Sequence, residues 1–130
     1  NHETMVGLRN DKVQRIANTY APLAVYGEDQ GDLLVVGWGS TYGAIRSAVR
    51  NAQSNGQSVS HVHLRNLWPL PLDLQDILKS FSKVLIPEMN SGQLLRIVRS
   101  EYLIDAVGYS KIQGQPFATQ EIYDHIQTIF

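Results

Sequence analysis

Apolar residues in this chain recur with two different periods. Leu33 to Val36 form an unbroken apolar run, and Lys83 to Ile86 carry another; both read as strands buried on two faces. Ser58 to Leu64 alternates and reads as a strand, Ala24 to Tyr26 is a short strand candidate, and Ile104 to Tyr109 reads as the last strand. Between them the period lengthens. Ala44, Ile45, Ala48, Val49 and Ala52 share one face of a helix over 41–55, and Asn55-Gly56 is its stop signal. A short helix is predicted over 74–81 with Asp73 as a possible N-cap, and another from Ser91 or Gly92 to Tyr102. A final helix opens at Thr119, with Glu121 close behind, and carries Ile122, Ile126 and Ile129. Residues 2–19 show a narrow helical stripe that Pro22 terminates, Pro69 and Pro71 interrupt a loop, and Pro87 is expected to end its strand.

Strands alternating with helices predict an α/β domain with a mainly parallel sheet and helices on both faces. At 130 residues the chain is long enough for one domain with a real core. The leading 1–22 read as a helix and linker from a preceding domain, and 23–130 as the domain itself. Asn1 at the start and Met5 inside a helical stripe lead to the expectation that the segment belongs to a longer polypeptide.

Composition narrows the function classes. The formal net charge is -1, which points away from nucleic acid or an anionic membrane as a bulk partner. There are no cysteines, so this segment has no disulfide, no thiolate nucleophile and no cysteine ligand for an iron–sulfur cluster; a cytoplasmic location fits. No apolar run approaches the roughly 20 residues that span a bilayer.

The stretch Val35-Val36-Gly37-Trp38-Gly39-Ser40-Thr41-Tyr42-Gly43 is a strand breaking into a glycine turn before a helix. Gly37 and Gly39 fit the first two places of the dinucleotide fingerprint, but Tyr42 takes the third and Gly43 comes one residue late. The next strand ends on Arg65, where an acidic ribose ligand is wanted, although an arginine suits a 2′-phosphate. The helix N-terminus at Ser40 and Thr41 can hold an anion, or one of the two hydroxyls can simply cap the helix. His61 and His63 share a strand face. H-x-H can begin a metal site, but no third ligand is placed, and packing under a helix or contact with solvent is the plainer reading. Glu88 and Asn90 follow one strand, Arg65 and Asn66 another, at the edge where α/β folds place ligands. A strand-end glutamate is also a common helix cap. Asp105, Asp124 and His125 have plain structural readings, and no catalytic triad order stands out. Trp38, Trp68 and Phe117 are candidates for an exposed apolar patch.

Four stretches carry a resemblance by their order and spacing: G-D-L-L-V-V-G-W-G-S-T-Y-G-A-I at 31–45, H-L-R-N-L-W-P-L-P at 63–71, K-V-L-I-P-E-M-N-S-G-Q-L at 83–94 and Q-G-Q-P-F at 113–117. Together they resemble the C-terminal domain of the α subunit of 2-oxoacid:ferredoxin oxidoreductases, most closely the 2-oxoglutarate type, over nearly the whole chain. The resemblance implies a transketolase C-terminal-like fold: a three-layer α/β/α sandwich on a five-stranded, mostly parallel sheet of order 1-3-2-4-5, with strand 1 an antiparallel edge.

It also implies a complete enzyme that oxidatively decarboxylates a 2-oxoacid using thiamine diphosphate, magnesium, a 4Fe-4S cluster and coenzyme A, with electrons leaving to ferredoxin. The diphosphate, its magnesium and the cluster would sit on the β subunit, and a preceding domain of the same chain would help bind the thiamine. This segment is then expected to be non-catalytic and metal-free, serving subunit assembly and the rim of the active-site entrance. By position, Ser40, Thr41, Arg65, Asn66, Glu88 and Asn90 would face a ligand or a neighbouring domain. The loop with Gln113, Gly114, Gln115 and Pro116 would lie against the same assembly. The competing expectation is a free-standing nucleotide- or anion-binding module resting on Gly37, Gly39 and Arg65.

Overall fold

The computed structural model describes residues 15–111 and 114–130. Five strands form one sheet in the order β1-β3-β2-β4-β5, where β1 is Val25–Tyr26, β2 Gly31–Trp38, β3 Val59–Leu64, β4 Phe81–Glu88 and β5 Val107–Ser110. The strand β1 runs antiparallel to β3, pairing Tyr26 with His61. The remaining pairs are parallel, with Leu33 opposite Val59 and Lys83, and Glu88 opposite Ser110. Among the described residues, four helices connect and cover the sheet: α1 Tyr42–Ser54, α2 Leu74–Lys79, α3 Gln93–Tyr102 and α4 Thr119–Ile129. The expected sandwich, strand order and antiparallel edge are all present.

The unbroken apolar strands are explained by two cores. Successive residues of a strand point to opposite faces. Leu34, Val36, Val62, Val84 and Ile86 meet Leu74 and Leu78 of α2 and Leu94 and Val98 of α3. Leu33, Val35, Val59 and Leu85 meet Ile45, Ala48, Val49 and Ala52 of α1 and Ile122 and Ile126 of α4. Both faces are closed by helices of this chain, as a unit able to fold by itself requires.

Several boundaries differ from the sequence reading. Helix α2 stops at Lys79 because Phe81 already pairs with Gly31 as the start of β4. Asp73 occupies the N-cap position without capping; its carboxylate accepts the Leu23 N–H at 2.8 Å and ties the chain before β1 to the start of α2. Pro87 does not end β4. Pairing with β2 stops at Leu85, so the proline sits where only the β5 side is still paired, and a missing N–H is tolerated there. The last strand begins at Val107, later than expected, because α3 exits through Leu103 in the left-handed region (φ 54°) and Ile104–Ala106 close a turn. Thr119 is the first residue of α4 and Ala118 the cap, with the Glu121 carboxylate accepting the Ala118 N–H at 2.9 Å. Of the predicted leading helix, only residues 15–17 are described as helical, and 1–14 lie outside the described residues.

Candidate functional site

The C-terminal ends of β2, β3 and β4 converge on one edge, and the sheet register places most of the predicted positions there. The glycine turn is the first. Strand β2 runs through Gly37 to Trp38, then Gly39–Thr41 form one 3-10 turn into α1. Gly39 has φ 64°, which a residue with a side chain adopts at a cost. Gly37 serves packing: a Cβ there would lie 2.5 Å from Ile45 Cδ1 and 2.9 Å from His63 Nδ1. Gly43 has open space around it. The glycines therefore turn the chain and bring β2 close to α1, and Gly43 has no close-approach duty of the kind the dinucleotide motif demands. Neither hydroxyl caps α1 either. Thr41 is buried and its Oγ1 donates to the Trp38 carbonyl at 2.9 Å, while Ser40 is exposed.

Glu88 is only 1% exposed. Its Oε1 accepts the backbone N–H of Leu94 at 2.6 Å and the indole N–H of Trp38 at 3.1 Å, and its Oε2 accepts the Leu95 N–H at 3.1 Å. Asn90 Oδ1 accepts the N–H groups of Gly92 and Gln93 at 2.8 and 3.0 Å. Between them these two side chains satisfy four N–H groups at the start of α3, where a helix leaves its first donors unpaired and carries partial positive charge. The cap position itself is Gly92, in the left-handed region with φ 94°, so the capping comes from the preceding strand end. Asn90 also borders a dimple of about 100 Å³ with Trp38, Gly39, Ser40, Thr41 and Met89.

Arg65 and Asn66 lie apart from that dimple. They line a larger cleft of about 590 Å³ with His63, Tyr42, Arg46 and the 20–24 segment. The predicted positions thus fall into two neighbouring groups at one edge. Gln115 is exposed on the loop that follows β5, and Gln113 lies outside the described residues. Of the three aromatic residues named as patch candidates, Trp68, which precedes a cis peptide bond to Pro69, is 61% exposed. Phe117 is buried at 6% under α1 and α4, and Trp38 is partly buried on Glu88.

His61 and His63 pack on the α1 face of β3, with ring centroids 5.5 Å apart. His61 is fully buried, and its Nδ1 accepts the Arg46 Nε–H at 3.2 Å, so its proton sits on Nε2. His63 Nε2 donates to the Gly39 carbonyl at 3.1 Å. His61 Nε2 and His63 Nδ1 are buried without a partner among the described residues. Burial, then the charge of Arg46 and then His63, lowers the His61 pKa to about 3. Burial also lowers that of His63, opposed in part by the Gly39 bond and reinforced by Arg46 and Arg65. Both rings are neutral near pH 7. Neither nitrogen of His61 is free for a metal in this arrangement, since Nδ1 accepts from Arg46 and Nε2 carries the proton; only His63 Nδ1 is left bare. Among the described residues no group of three or more His, Cys, Asp or Glu could hold a metal.

Arg46 is the residue the sequence reading passed over. Its guanidinium carbon lies 4.0 Å from the Tyr26 ring centroid and 4.9 Å from that of Tyr42, so two tyrosines flank it. The Tyr42–Arg46 spacing of one helical turn was a visible signal. The Tyr26 contact was not, because it depends on the pairing of β1 with β3.

Comparison with known proteins agrees with this architecture. Residues 31–122 match the family model of pyruvate:ferredoxin oxidoreductase core domain II. The chain is 41% identical over 124 residues to the 2-oxoglutarate oxidoreductase subunit KorA of Mycobacterium tuberculosis, covering 94% of this chain and 18% of that relative. A structure of 2-oxoglutarate:ferredoxin oxidoreductase from Magnetococcus marinus, with 2-oxoglutarate, coenzyme A and succinyl-CoA bound, superposes with a TM-score of 0.88 at 30% identity, over 98% of this chain and 23% of that one. A split-gene transketolase, with a TM-score of 0.64 at 15% identity over 83% of this chain and 41% of that one, shares the fold. The chain spans about a fifth of the first two proteins. With the family model matched over most of its length and the motif order intact, the chain belongs to the pyruvate:ferredoxin oxidoreductase core domain II family, the α-subunit domain of 2-oxoacid:ferredoxin oxidoreductases that its sequence resembles.

Proposed function

We propose that this chain is the C-terminal, non-catalytic domain of the α subunit of a 2-oxoglutarate:ferredoxin oxidoreductase, and that it serves subunit assembly and the rim of the active-site entrance. The observation that carries the reading is similarity at 41% and 30% identity, over nearly the whole chain, to two proteins whose names specify 2-oxoglutarate. The chain's own residues do not fit the family's metal-bearing groups. It has no cysteine for a cluster, and its described residues offer no three-ligand group for a metal. The diphosphate of thiamine with its magnesium and the iron–sulfur cluster are accordingly placed on the β subunit, with a preceding domain helping to bind the thiamine, residues 1–22 as the link, coenzyme A as the acyl acceptor and ferredoxin as the electron acceptor. The strand-end edge, with Ser40, Arg65, Asn66 and Gln115 exposed on it, is the face proposed to meet those neighbours. Glu88 and Asn90 support that edge by holding the start of α3. The free-standing dinucleotide reading has lost its basis, since the glycine turn serves packing.

The test is an assay of the native protein, purified with the chains that accompany it and supplied with thiamine diphosphate, magnesium, coenzyme A and a low-potential dye. Coenzyme A-dependent dye reduction with 2-oxoglutarate, and much less with pyruvate, is the expected result. Reduction with pyruvate alone overturns the substrate. No reduction with any 2-oxoacid, from an intact complex carrying its cluster, overturns the enzyme reading.

A further inference from the structure

The cleft beside β3 contains a fixed cation with no counter-ion among the described residues. Arg46 is held on both sides by the Tyr26 and Tyr42 rings, and its Nε–H is bonded to the buried His61. Its two terminal nitrogens have no acceptor and no ion pair among the described residues, and they belong to a side chain that lines the cleft. Arg65 lines the same cleft, is exposed, and also has no ion pair among the described residues. Among the described residues no aspartate or glutamate borders the space. The other polar groups around it are those of Tyr20, Tyr42, Asn66 and the neutral His63. This concentration of positive charge occurs in a chain whose net charge is -1, so it is local and not a bulk property.

We infer that this cleft is a binding site for the oxyanion group of a small molecule, a phosphate monoester or a carboxylate, gripped by Arg46 and Arg65. Guanidinium forks recognise both groups through paired N–H donors. Two uncompensated guanidiniums match the double charge of a phosphate better than the single charge of a carboxylate. The stacked tyrosines and the His61 bond remove the rotamer freedom that Arg46 would otherwise lose on binding, which is how preorganisation raises affinity. A volume of about 590 Å³ lies within the usual range for small-molecule sites. Tyr20 and Tyr42 supply hydroxyls and ring surface for the body of the ligand. A metal cation is disfavoured, because two positive charges line the cleft, one of them fixed. The site lies between the 20–24 segment and the end of the glycine turn, which it meets through Tyr42 and His63, and the inference does not rest on the oxidoreductase reading.

The experiment is calorimetric titration of this chain at pH 7.5 and low salt with inorganic phosphate, with succinate, and with sodium chloride at matched ionic strength. The proteins are wild type, Arg65→Gln, Arg46→Gln and, as a control on the same helix outside the cleft, Arg50→Gln. Saturable heat with phosphate but not chloride is expected. It should weaken roughly tenfold or more in R65Q and R46Q and be retained in R50Q. Saturable heat with succinate alone, lost in the same two variants, upholds an oxyanion site and identifies its occupant as a carboxylate. No saturable heat with either anion overturns the inference. So does binding that R65Q leaves unchanged, and R65Q alters an exposed strand-end residue whose loss does not threaten the fold.

Discussion

Replacing Glu88 by glutamine changes one carboxylate oxygen into an amide nitrogen and leaves the shape almost unaltered. The carboxylate accepts three hydrogen bonds, from Leu94, Leu95 and Trp38. A glutamine carbonyl can keep the two that converge on Oε1, but its NH2 then faces the Leu95 N–H, donor against donor. One buried donor left unpaired costs on the order of 1–3 kcal/mol, and loss of negative charge at the start of α3 costs about a further 0.5 kcal/mol. The expected destabilisation is about 2 kcal/mol. Unfolding entropy of about 2.1 cal/mol/K per residue converts this to roughly 7 °C in the melting temperature of a chain of this size. Glu88→Ala orphans all three donors and opens a void, and is expected to cost about 4 kcal/mol. Thermal unfolding followed by circular dichroism reads both effects. A double-mutant cycle with Trp38→Phe, which removes the indole donor, should return a coupling of about 1 kcal/mol with Glu88→Ala. A melting temperature for E88Q within about 2 °C of wild type, or a coupling indistinguishable from zero, refutes the capping role. Unchanged stability together with lost activity of the native complex would instead make Glu88 a ligand-facing residue.

The buried His61 sets a pH dependence. Its folded pKa of about 3 lies below the ordinary value of 6.5, so the unfolded chain takes up a proton first and stability is lost as pH falls below about 6.5. That loss amounts to about 2 kcal/mol between pH 7.5 and 5. Comparing chemical denaturation of wild type and His61→Gln over this range isolates the contribution; parallel curves for the two would refute it. The glycine turn gives a paired test. Gly37→Ala drives a Cβ against Ile45 and His63 and is expected to cost about 1–3 kcal/mol. Gly43→Ala, in open space on helix α1, should be neutral or stabilise by up to about 1 kcal/mol. Equal destabilisation by both would mean that the turn holds something other than packing.

The residue pattern by itself determined the elements and their layering. Unbroken runs such as Leu33–Val36 require cover on both faces, and the helical stripes at Ile45–Ala52 and Ile122–Ile129 supply it on one side. Chain-local signals such as Asn55-Gly56 act within a few residues and could be read directly. The strand order and the antiparallel edge came from the resemblance, because alternation along a strand says nothing about which strand lies beside it. Tertiary structure alone decided the site. Glu88 and Asn90 stood out as strand-end polar residues, but only the approach of α3 to the end of β4 shows which donors they hold. For His61 and His63 packing was the plainer sequence reading, but only the fold shows that α1 brings Arg46 onto the accepting nitrogen of His61. Arg46 itself was unremarked because its surroundings come from β1, β3 and α1 at once. Contacts between residues distant in sequence depend on register and packing, and a one-dimensional pattern carries the period of each element but not the pairing between them.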